Sequence, residues 1–85
     1  MNISATELKK IRKVYRLTLE QMAELLGISA GHLSHVENGH YRLTEKVKAR
    51  LIDQFQLTPD KLARINAVYD EFSLPRKGGA SDRQS

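Results

Sequence analysis

The sequence predicts an all-α domain of five helices, and three observations carry that prediction. Apolar residues recur at three- and four-residue spacing through most of the chain. Nowhere do β-branched residues alternate with polar ones, as a half-buried strand requires. Each apolar stretch opens on a hydroxyl residue suited to capping a helix: Ser4, Thr18, Ser29, Thr44 and Thr58. Four of these caps are bracketed by an apolar pair at the spacing of a hydrophobic staple, namely Ile3/Leu8, Leu17/Met22, Ile28/Leu33 and Leu57/Leu62. The chain has 85 residues and no cysteine, so helix packing must hold a modest core without disulfides or a thiolate metal site.

The first helix is expected from about Ala5 to Tyr15, opening on a capping box at Ser4-Ala5-Thr6-Glu7. Leu8, Ile11 and Tyr15 form its inward stripe, with Val14 beside it. Lys9, Lys13 and Arg16 share another face, which reads equally as solvated charge or as a phosphate contact. Thr18-x-x-Gln21 is a second capping box, and Met22, Ala23, Leu25 and Leu26 turn inward behind it. Gly27 follows the last periodic residue, where a left-handed backbone is needed and glycine adopts it without strain. Ser29 starts the third helix, which buries Leu33 and Val36 and stops at Asn38-Gly39. Thr44, with Glu45 in the first turn, starts the fourth. Val47, Leu51 and Phe55 line it at four-residue steps, with Ile52 alongside, and Lys46, Lys48 and Arg50 read as exposed. Thr58-Pro59-Asp60 places a cap, an N-terminal proline and an acid at the start of a fifth helix of about 59–73. Leu62, Ile65, Val68, Tyr69 and Phe72 recur along it, Leu74 follows and Pro75 ends it. One domain over 1–74 results, with a polar, glycine-containing tail at 75–85 predicted to be disordered.

Residues 18–38 organise the rest. Ala23 lies four residues before Gly27, on the face that meets the next helix, and its small side chain permits a close crossing. The turn Gly27-Ile28-Ser29 sets the two helices steeply, as in a helix-turn-helix. Ala23-x-x-x-Gly27, a branched apolar residue at Leu33 and the run Glu37-Asn38-Gly39 together resemble the Cro and lambda-repressor-like (XRE-type) helix-turn-helix transcription regulators. The resemblance extends from about Leu8 to Leu62. It implies a five-helix lambda-repressor-like DNA-binding domain. It also implies an ion pair between Arg12, which follows Ile11 and faces the motif, and Glu37. Such a pair is a structural feature whose net stabilisation is offset by desolvation, although removing one partner strands the other.

In a helix-turn-helix the second helix enters the major groove with its N-terminal residues at the base edges. The candidate base contacts are therefore Ser29, Ala30, His32, Ser34 and His35. Ala30 and Gly31 depart from the family, which often carries long polar side chains there. Only the Ala30 methyl offers a contact, with thymine, and the readout falls on His35, Ser34, His32, Ser29 and DNA shape. Thr18 is a candidate phosphate contact through its hydroxyl and the free N–H groups of the helix start at Leu19, where relatives carry a glutamine. The resemblance adds Asn38, His40, Tyr41 and Arg42, in the loop that relatives lay along the sugar-phosphate backbone. His32, His35 and His40 are close in sequence, but no carboxylate or cysteine completes a metal shell without removing Glu37 from its pair, so no metal and no cofactor are expected.

The net charge is +4, which suits a polyanion partner. Residues 1–28 carry a net charge of +2, residues 29–56 of +1 and the tail of +2, whereas 57–74 carry −1, so the parts expected to face DNA are basic and the segment at 57–74 is not. No apolar run reaches a membrane span and the N-terminus lacks a signal-peptide pattern, so a cytoplasmic protein is expected. No nucleophile–base pair or phosphate-cradling glycine loop points to an enzyme; Gly78-Gly79 lies in the tail. The leading reading is a regulator, in the first place a repressor, binding an inverted-repeat operator as a homodimer, because one module reads too few base pairs alone. Ile65, Tyr69 and Phe72 exceed what the core needs and are read as the dimer interface, the alternative being that the stripe folds back on the first helix within one subunit. The alternative is a protein-binding module, an antitoxin or anti-regulator, whose main partner is another protein.

Overall fold

The capping signals in the sequence each open a helix. The computed structural model describes residues 1–72, in which α1 (Ala5–Val14), α2 (Leu19–Leu26), α3 (Ala30–Glu37), α4 (Glu45–Phe55) and α5 (Pro59–Phe72) follow in order, with no strand among them. Ser4 and Thr18 form reciprocal capping boxes with Glu7 and Gln21. Ser29, Thr44 and Thr58 each accept from a backbone N–H three residues on. The expected tail and Leu74 lie outside the described residues. None of the described helices is long and apolar enough to cross a membrane.

Four helices stop in the same way. After α1, α2, α3 and α4 the chain places Arg16, Gly27, Gly39 and Gln56 in the left-handed region, with φ of 58°, 74°, 82° and 51°. The next N–H then reaches back to a carbonyl five residues earlier: Leu17 to Arg12, Ile28 to Ala23, His40 to His35 and Leu57 to Ile52. Two of the four positions are glycine and were legible as stops. Arg16 and Gln56 adopt the same conformation at a steric cost that glycine avoids.

Leu8, Ile11, Met22, Leu26, Leu33 and Leu51 are completely enclosed, so α1 to α4 surround one core that α5 closes by packing on α1. Ile3 and Leu57, read as staples, are core residues in full, and Leu43 joins them although its loop carried no burial signal. Tyr15 departs from the expected inward stripe. It follows the end of α1, is 40% exposed, and packs tilted against the Phe55 ring at a centroid distance of 4.8 Å. Helical periodicity beyond the final turn no longer predicts burial, because the left-handed Arg16 turns the chain away.

Candidate nucleic-acid interface

Gly27, in its left-handed conformation, joins α2 to α3 and sets the angle between them. Leu33 and Val36 anchor α3 from below, on α1 and α2, and leave its other face outward. Gly31 and His35 are exposed there, while Ala30, His32 and Ser34 are half-buried. The Ala30 side chain packs against the core, which limits its reach outward. The Ser29 hydroxyl accepts from the His32 N–H at 3.0 Å, so its remaining capacity is its proton. A Cβ on Gly31 would meet no atom within 4 Å, so α3 presents a bare patch of backbone at its first turn.

The loop after α3 turns back onto this surface. Gly39 reverses the chain, and the His35 carbonyl accepts from both the His40 N–H, at 2.8 Å, and the Tyr41 N–H, at 3.3 Å. The Tyr41 ring thereby reaches His35 at 5.0 Å and His32 at 5.2 Å between centroids. The His35 and His40 rings lie 5.7 Å apart, with their Nδ1 atoms at 3.5 Å. At that contact one ring presents an N–H and the other a lone pair. His32 and His35, expected at bases, and His40 and Tyr41, expected at phosphates, thus join in one cluster of four rings. The three histidines do not make a metal-binding group: none of three or more His, Cys, Asp or Glu occurs among the described residues. Asn38 ends α3 and is exposed, as is Arg42.

Thr18 lies at the start of α2, its hydroxyl accepting from the Gln21 N–H at 3.0 Å. The hydroxyl keeps a proton to donate, and the N–H groups of Leu19 and Glu20 at the helix start add to the kind of helix N-terminus that receives an anion. Leu19 supplies no polar group and packs partly against the core.

Arg12 and Glu37 lie beneath this surface. The Arg12 Nε donates to Glu37 Oε2 at 2.8 Å and Nη2 to Oε1 at 3.0 Å, a two-pronged pair with side chains 11% and 4% exposed. Nη1 donates to the Leu17 carbonyl at 3.0 Å. One guanidinium thus ties α1, the link into α2 and the end of α3 together. Arg50 is exposed, as expected, and also adds a brace that sequence reasoning missed. Its Nη2 lies 3.4 Å from the Leu25 carbonyl, and the guanidinium covers the space above Gly27. A cation there faces the negative end of the α2 dipole. The sequence carries no signal for it, because α2 and α4 meet only in three dimensions.

Of the stripe expected to form a dimer interface, Ile65 is 6% exposed and closes the core within the chain, because α5 packs along α1. That residue is corrected from surface to core. Tyr69 is half-buried with the Lys10 ammonium 5.5 Å from its ring centroid, and Phe72 is 78% exposed.

A family model described as a helix-turn-helix domain matches residues 5–65, from the first residue of α1 to the last buried residue of α5. No curated protein and no solved structure matches the chain.

Proposed function

The chain belongs to this helix-turn-helix family, of the XRE/Cro-like type that binds DNA in transcription regulation, and from that premise we propose that it is a repressor that binds an inverted-repeat operator as a homodimer. The observation that carries the reading is the outward face of α3, which is polar, presents His32, Ser34 and His35, and lies opposite the buried Leu33 and Val36. Ser29, Ala30, His32, Ser34 and His35 then meet base edges. Thr18, Asn38, His40 and Arg42 hold the sugar-phosphate backbone on either side and set the register, with Tyr41 in the same loop. The Arg12–Glu37 pair fixes the angle at which α3 is offered. Two copies related by a two-fold axis place their α3 helices about 34 Å apart, one turn of DNA. With Ile65 inside the core, the two-fold contact falls on Tyr69 and Phe72 at the end of α5, joined by the exposed Val68.

The test is a gel shift against the DNA immediately upstream of the protein's own gene, followed by footprinting. Protection of a symmetric site, absent with shuffled DNA, is the expected result. Failure to retard any duplex while a protein partner is bound would replace this reading with that of an antitoxin or anti-regulator.

A further inference from the structure

With Ala30 turned partly inward and Gly31 bare, the polar reach of α3 toward bases rests mainly on two imidazoles, His32 and His35. They stand three residues apart, on one side of the helix and one turn from each other. His35 is exposed and His32 half-buried, and a side chain left free to turn loses affinity when it is ordered on binding. The chain places one ring against both. Tyr41 comes from the loop, not from α3, and lies 5.2 Å from the His32 ring and 5.0 Å from the His35 ring, tilted by 38° and 51°. These are the separations and tilts of favourable aromatic contacts. The Tyr41 backbone is itself held, since its N–H donates to the His35 carbonyl.

We infer that Tyr41 is a positioning residue for base recognition: its ring holds His32 and His35 in their reading orientation before DNA arrives. The inference rests on the DNA-binding reading above and deepens it, moving the part played by Tyr41 from its hydroxyl on a phosphate to its ring on two histidines. The two roles make opposite demands. A phosphate contact needs the phenol oxygen, and Tyr41→Phe removes it. A positioning ring needs only the ring, which Tyr41→Phe keeps.

The experiment is selection of a randomised duplex library by the parent, Tyr41→Phe, Tyr41→Leu and a His32→Ala/His35→Ala protein with and without Tyr41→Leu. Affinity for the selected site is measured alongside. NMR of the free proteins reads ring-to-ring nuclear Overhauser contacts from Tyr41 to both imidazoles. The expected result is that Tyr41→Phe keeps the parent's base preference and affinity. Tyr41→Leu flattens the preference at the base pairs that the histidines read and weakens specific binding by about threefold to tenfold. Non-specific binding stays unchanged, and Tyr41→Leu has no further effect on base preference once both histidines are gone. An equal loss for Tyr41→Phe and Tyr41→Leu, or an unchanged preference in Tyr41→Leu, overturns the positioning role and leaves the DNA-binding reading intact. A parent that selects no sequence overturns both, and the Overhauser contacts then record a ring cluster without a base to read.

Discussion

At the scale of single residues, Arg12 matters most to the frame and Gly31 to the surface. Arg12 and Glu37 are almost enclosed, so removing either leaves an unpaired charge in a poorly solvated place. Arg12→Leu and Glu37→Leu are each expected to lower unfolding free energy by about 3 kcal/mol or more. The double change should cost less than the sum, because neither charge is then stranded. Additive losses in the denaturant-derived cycle would mean that the 2.8 and 3.0 Å contacts carry no coupling. Arg12→Lys should recover little, since a single ammonium cannot fork to Glu37 and also reach the Leu17 carbonyl. Gly31 runs the other way. A glycine inside a helix gives up roughly 0.5–1 kcal/mol relative to alanine, and no neighbour within 4 Å needs the space. Gly31→Ala is therefore expected to raise the melting temperature. If α3 approaches the groove closely, the same methyl weakens operator binding. A variant that gains stability and binds as well as the parent would remove Gly31 from the interface.

At the scale of elements, the caps were plain in the sequence because a cap is a local event. Ser4–Glu7 and Thr18–Gln21 satisfy N–H groups only three residues away, so spacing alone identified them. Thr18→Ala is expected to cost about 1 kcal/mol in stability through the lost bond to the Gln21 N–H. It should also weaken DNA binding beyond the fraction unfolded, through the lost hydroxyl contact. Thr18→Asp separates the two effects: it keeps the cap but sets a negative charge against phosphate. Restored stability with DNA binding poorer still is the expected outcome, read by thermal melts and gel shifts on the same samples. The ends of helices were half legible. Gly27 and Gly39 announced left-handed stops, whereas Arg16 and Gln56 make the same stop with residues that carry no such signal.

At the scale of the whole molecule, α5 has two parts. Leu62 and Ile65 complete the core, and Phe72 lies open. Ile65→Asp is thus expected to unfold the domain, since it buries a carboxylate without a partner. Phe72→Asp should leave the fold intact. If the end of α5 holds the dimer, Phe72→Asp sediments as a folded monomer and binds the operator much more weakly. A parent that is monomeric at micromolar concentration and above would sink the dimer. Salt adds a measure of the assembled complex. Affinity should fall with a log–log slope of roughly −0.9 per phosphate neutralised, summed over both subunits. Arg42→Ala should make that slope shallower and weaken specific and non-specific binding alike; a change in base preference at constant slope would contradict its phosphate role.

What the sequence determined by itself was everything governed by neighbours along the chain. Five helices, their caps, the Gly27 turn and the inward residues Leu8, Ile11, Met22, Leu33 and Leu51 follow from spacing and side-chain chemistry within a few residues. Tertiary structure alone decided what distant segments do to each other. Ile65 and Phe72 belong to one helical stripe, yet α1 covers the first and leaves the second open. Tyr41, His40, His35 and His32 sat in two separate functional classes until Gly39 folded the loop over α3 and made them one cluster. Arg50 is the surface charge the sequence suggests, and α4 also carries it to the end of α2. Periodicity states which residues share a face of a helix. Which part of that face meets another element depends on where the whole chain has gone, and that is fixed by packing.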